Sequence, residues 1–143
     1  MAAAGGLGDA LGAMLADKSV YRSPGALGPA YEDAGKVSDA DIETYLRPLV
    51  KSEQRLSDFQ RFLAAFDNKH TLVIEDGLKA LKAPALIVWG TDDVYFGVQW
   101  GRWLAKILPG TKRLVELTGA RIFFPEERWA EFNRELRGFW QGA

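Results

Sequence analysis

The stretch Ala83-Pro84-Ala85-Leu86-Ile87-Val88-Trp89-Gly90-Thr91-Asp92-Asp93 decides how the rest of the chain is read. An unbroken apolar run, Ala85 to Trp89, stands between a proline and a glycine. A short run bounded in this way marks a β-strand covered on both faces, as in a parallel sheet, whereas alternation would mark a half-covered strand. Asp92 and Asp93 then fall in the turn leaving the strand, where Asp is common because its side chain bonds nearby backbone amides.

Towards the C-terminus, Val98, Trp100, Trp103, Leu104, Ile107 and Leu108 repeat at helical spacing, and Pro109-Gly110 stops that helix. Arg113 to Leu117 reads as a second short strand. A final helix is expected from near Pro125, a residue suited to a first helical turn, with Glu126 and Glu127 where the helix dipole favours acids. Trp129, Phe132, Leu136, Phe139 and Trp140 are its expected buried face. Strand, helix, strand, helix in this order implies a parallel crossover unit and an α/β class. Two parallel strands make a poor sheet by themselves, and Ala85–Trp89 is apolar enough to expect a neighbour on each side. A further strand is therefore expected from upstream of these residues.

Upstream of Ala83 the signals are helical. Ser38 and Asp41 resemble a capping box ahead of the apolar stripe Ile42, Tyr45, Leu46 and Leu49, and Pro48 marks the end of that helix. A second helix is expected from about Ser52, with Leu56, Phe59, Leu63 and Phe66 as a core stripe or the roof of an apolar pocket. A third is expected over Thr71 to Leu81, weakened by Gly77. Residues 1–29 are punctuated by glycine and proline, so a flexible segment is expected there, with a short helix only from Asp9 to Ala16. Gly6-Leu7-Gly8 is not a dinucleotide fingerprint, because no strand precedes it and the third glycine is displaced to Gly12.

Composition narrows the function. The 143 residues carry 18 Lys and Arg against 19 Asp and Glu, a formal net charge of -1, which gives no reason to expect nucleic acid or an anionic membrane as partner. With no cysteine, thiolate catalysis, disulfides and Cys-based metal sites are excluded. The start lacks a basic segment and a sustained apolar run, so no secretory signal is expected; its Ala/Gly-rich residues read as a frayed end or a cut point in a longer chain. No run approaches the roughly 20 apolar residues of a membrane span. A cytoplasmic protein is expected.

Taken together, the pieces resemble the C-terminal part of the α/β-hydrolase family. Ala83 to Asp93 looks like the late strand whose Trp-Gly-x-x-Asp turn delivers the acid of the catalytic triad. Leu104-Ala105-Lys106-Ile107-Leu108-Pro109-Gly110 resembles the following helix and its Pro-Gly stop, and Lys112 to Leu117 resembles the last strand. Gly119 to Phe132 is similar to the segment that carries the catalytic histidine and then the closing helix. The resemblance implies a truncated α/β-hydrolase fold, with a helical cap over residues 30–82 and the closing strand–helix–strand–helix part over 83–143. Haloalkane dehalogenases, epoxide hydrolases and carboxylesterases share this style of cap, and the fold alone does not choose among them.

The resemblance puts Asp93, three residues after Gly90, in the slot of the acid that orients and stabilises the imidazole. It also exposes what is missing. The histidine slot holds Ile122, followed by Phe123, Phe124 and Pro125, and isoleucine cannot shuttle a proton. The single histidine, His70, lies upstream in the cap-like segment, where a surface role is expected. None of Ser19, Ser23, Ser38, Ser52 or Ser57 sits on a Gly-x-Ser-x-Gly elbow, so the chain offers no nucleophile of the family's kind. Asp39, Asp41 and Glu43, or Glu126 and Glu127, read as helix-start acids rather than metal ligands, and no cofactor is implied. Two functions remain as expectations. One is hydrolysis of a small apolar ester, halide or epoxide by a complete protein; the other is non-catalytic binding. Five Trp and eight Phe add the expectation of an exposed apolar face, paired either with a second copy or with a complementing N-terminal half.

Overall fold

The computed structural model describes residues 6–142, which divide into two compact units. The first takes residues 6–28 and 33–68 and is all helical; the second takes residues 29–32 and 69–142 and holds the sheet. The division differs from a flexible start followed by a cap over 30–82: the start belongs with the helices, and the segment from Lys69 belongs with the strands.

In the helical unit, α1 (Gly6–Ala16) and α2 (Lys18–Arg22) occupy the region whose glycines suggested flexibility. Burial supplies what propensity withholds, since Leu11 and Tyr21 enter a core with Val37, Ile42 and Leu46. Asp17 caps α2 by accepting the Ser19 amide. α3 (Asp39–Leu46) begins on the expected capping box: the Ser38 hydroxyl accepts the Asp41 amide and the Asp41 carboxylate accepts the Ser38 amide. Pro48 ends α3 in a 3-10 turn, Arg47–Val50, before α4 (Glu53–Ala64) starts from its Ser52 cap. Ion pairs join these pieces: Lys18 of α2 and Arg47 both reach Glu43, and Arg22 bonds the Val37 carbonyl and Asp39.

The α4 stripe does not become core. Leu56 and Phe59 are half-buried, while Phe62, Leu63 and Phe66 are exposed, and the Phe62 ring lies against those of Phe59 and Phe66. The helix expected over Thr71–Leu81 is broken into α5 (Lys69–Leu72) and α6 (Glu75–Ala80). Thr71, Val73 and Ile74 are β-branched and restrict the helix, and Leu72, Val73 and Ile74 stay exposed, so packing does not compensate.

In the second unit, β1 (Ala85–Gly90) and β2 (Thr111–Leu117) pair in parallel as a two-stranded sheet, in register from Leu86↔Arg113 to Gly90↔Leu117. α7 (Gln99–Ile107) connects them and packs on both. α8 (Phe124–Glu127) and α9 (Trp129–Gly142) follow β2, separated at Arg128 by a non-helical backbone. The core centres on Leu117, Ala120 and Phe124, with Val88, Val115 and Phe132 packed around it. β1 is not covered on both faces: only Ile87 and Gly90 are buried. The expected buried face of α9 is likewise partial, since Trp129 and Trp140 are exposed. Two strands are too narrow to cover an apolar arc as broad as that of α9: of the expected face Phe132, Leu136 and Phe139 are half-buried, and the one buried residue of the helix is Glu135. No helix among the described residues is long and apolar enough to cross a membrane.

Candidate functional site

The candidate site forms where β1 ends. Gly90 is buried, and a Cβ there would stand 2.3 Å from the Ala120 carbonyl oxygen, so only glycine lets the strand end lie against the turn after β2. Backbone bonds lock the two ends together: the Thr91 amide donates to the Leu117 carbonyl and the Asp92 amide to the Ala120 carbonyl, each at 3.0 Å. The Thr91 hydroxyl accepts the Gly119 amide at 2.9 Å, and Gly119 takes the left-handed φ of 78° that the turn requires.

This frame fixes where Asp93 goes. Its Oδ1 accepts the amides of Tyr95 (2.8 Å) and Phe96 (2.9 Å), folding the loop back upon itself. The Trp89 indole then donates to the Phe96 carbonyl at 2.7 Å, clamping the loop to the strand. The same indole lies over α7, where a Cβ on Gly101 would come within 2.9 Å of its ring. Asp93 therefore works as a turn carboxylate, and it does so beside a cavity of about 160 Å³. Asp93 and Ile122 line that cavity together, with Val88, Trp89, Phe96 and Phe124 as apolar wall. Both Asp93 and Ile122 are half-buried. The two positions singled out in the sequence, about thirty residues apart in the chain, thus meet at one small apolar hollow.

His70 sits exposed on α5 and takes no part in the cavity. Among the described residues no group of three or more His, Asp or Glu side chains is arranged to hold a metal ion. Asp39 and Asp41 serve the start of α3, and Glu43 is engaged by Lys18 and Arg47; the Lys18 hydrogen bond, then Arg47, holds the Glu43 carboxyl below its ordinary range. Glu126 and Glu127 lie in the first turn of α8.

What positions Ile122 was not legible in the sequence. The segment Pro29–Glu32 grips the chain on both sides of it. The Phe123 amide donates to the Ala30 carbonyl at 3.1 Å, the Arg121 guanidinium to the Pro29 carbonyl at 3.2 Å, and the Glu32 amide to the Glu127 carboxylate at 2.7 Å. Arg128 forms two 2.7 Å bonds to the Glu32 carboxylate, and the Tyr31 ring, buried, stands 4.8 Å from that of Phe123. A signal existed only in the residue types: Tyr31 beside Glu32 offers an apolar body and a charge in a segment otherwise rich in Gly and Pro. Phe96 was also missed, because its role depends on a loop folded by Asp93. Compared with known protein families, with curated proteins and with solved structures, the chain finds no match.

Proposed function

We propose that the chain is part of an α/β-hydrolase-type protein acting on a small apolar ester, halide or epoxide, with Asp93 in the acid position of its site. The observation that carries this reading is the meeting of Asp93 and Ile122 at one apolar cavity at the C-terminal end of β1. Ligands of open parallel α/β sheets bind beyond the C-terminal ends of the strands, which is where this hollow lies. At about 160 Å³ it suits only a small apolar group, well under the roughly 300–1,000 Å³ of drug-sized sites. Both amide bonds to Asp93 arrive at Oδ1, an orientation that favours a fixed carboxylate able to hold an imidazole beside it. With isoleucine in the histidine slot and no nucleophile elbow, these residues do not carry out the chemistry themselves. Ile122 favours a second reading on the same geometry: apolar binding with the proton shuttle replaced by a hydrocarbon wall.

The test is an amide and indole NMR titration of the chain with a short ester such as ethyl butyrate, with hydrolysis followed in the same tube. The expected result is a response at the Trp89 indole N–H and at Phe96 and Ile122, with the ester intact. A response mapping away from β1 would contradict the proposal, and ester cleavage by the wild-type chain would contradict the reading that these residues do not carry out the chemistry themselves.

A further inference from the structure

The helical unit carries a second concavity, an open groove of about 920 Å³ whose lining includes Glu43, Arg47, Pro48, Val50, Lys51 and Arg55. It lies wholly within that unit and stands independently of any role for Asp93. Its volume falls inside the roughly 300–1,000 Å³ of small-molecule sites. Three cations face a single carboxylate along this wall, and the carboxylate is already committed, since Glu43 pairs with Lys18 and Arg47. No carboxylate among the described residues pairs with Lys51 or Arg55. Asp58, which Arg55 influences through space, is bonded by Arg61 and Gln54. Lys51 and Arg55 are exposed and so remain hydrated and ready for an anion, while Pro48, Val50 and the stem of Arg47 supply apolar surface beside them.

We propose that this groove binds a single-chain anionic amphiphile, an alkyl chain ending in a carboxylate or a phosphate monoester. The oxyanion sits between Lys51 and Arg55, and the chain runs along Pro48 and Val50. A neutral amphiphile leaves both cations without a partner and gains only the apolar contact. A nucleic-acid backbone is a poorer fit, because two cations in a chain of net charge -1 offer no extended basic track.

The test uses the full chain in an amide NMR titration with decanoate, decyl phosphate and decanol, each kept below its micelle-forming concentration. Saturable shifts at Val50, Lys51 and Arg55 are expected with both anions and only weakly with the alcohol. Affinity should fall about tenfold or more in the double variant Lys51→Gln/Arg55→Gln, and fall also with added salt. Because both side chains are exposed, the rest of the double variant's spectrum should match the wild type. Equal binding of decanol, undiminished binding by the double variant, or no shift at these residues would each overturn the proposal. So would a response to phosphatidylserine vesicles alone, which would assign these cations to a lipid surface.

Discussion

A methyl group at Gly90 would meet the Ala120 carbonyl oxygen at 2.3 Å and its carbon at 2.7 Å, and both are backbone atoms held by the bond from the Asp92 amide. Neither can step aside cheaply. We therefore expect Gly90→Ala to destabilise the sheet unit by about 1–3 kcal/mol, read as a lower midpoint in urea unfolding. Asp93→Ala removes two amide bonds from an exposed loop and should cost less, about 1 kcal/mol, while freeing Phe96 from its place on the Trp89 indole. The indole N–H resonance of Trp89 reports this directly, since loss of its 2.7 Å bond should shift it upfield. The signs of stability against pH follow from particular carboxylates. Hydrogen bonds from Lys18 to Glu43 and from Arg102 to Glu116 hold both carboxyl groups below the ordinary 4.5. A depressed folded-state value contributes stability that is present above the unfolded value and is lost as pH falls through the folded one. Urea midpoints should thus be flat near neutrality and decline below pH 4.5, and Glu43→Gln should blunt that decline.

Among the elements, those legible from sequence are the ones with local chemical punctuation. Ser38 with Asp41 announced α3, Ser52 announced α4, and Pro84 and Gly90 framed β1. Ser38→Ala should cost about 0.5–2 kcal/mol in the helical unit, measurable by the same unfolding series. Elements that depend on distant contacts were not legible. α1 was read over Asp9–Ala16 and starts three residues earlier, but α2 was not read: it forms because Tyr21 is buried, and periodicity over so few residues does not reveal what covers it. The single helix expected over Thr71–Leu81 divides where Leu72, Val73 and Ile74 stay largely exposed. The Asp93 turn was half legible: its residue type and its place after Gly90 could be read, but not the Pro29–Glu32 segment that holds Ile122 opposite it from more than ninety residues away.

For the whole chain, two units each with a core of its own imply that the passage at Asn68, the last of three between them, is an early place to open. Phe66, at 69% exposed, and Leu72, at 61%, flank the boundary at Asn68. Limited chymotrypsin treatment should cut first after one of these residues, with the two products still held together by the bonds of Pro29–Glu32 to the sheet unit; early cuts inside α3 or between β1 and β2 would argue against the division. The helices of the sheet unit also present apolar surface, since Trp100, Trp129 and Trp140 are exposed. The most direct measurement returns to Asp93 and Ile122. In the variant Ile122→His, the introduced imidazole should titrate, by NMR, about one pH unit higher than in the double variant Ile122→His/Asp93→Asn, because a neighbouring carboxylate favours the charged ring. An imidazole that titrates alike in both variants would mean that Asp93 does not face position 122, and the acid slot assigned to it would fall.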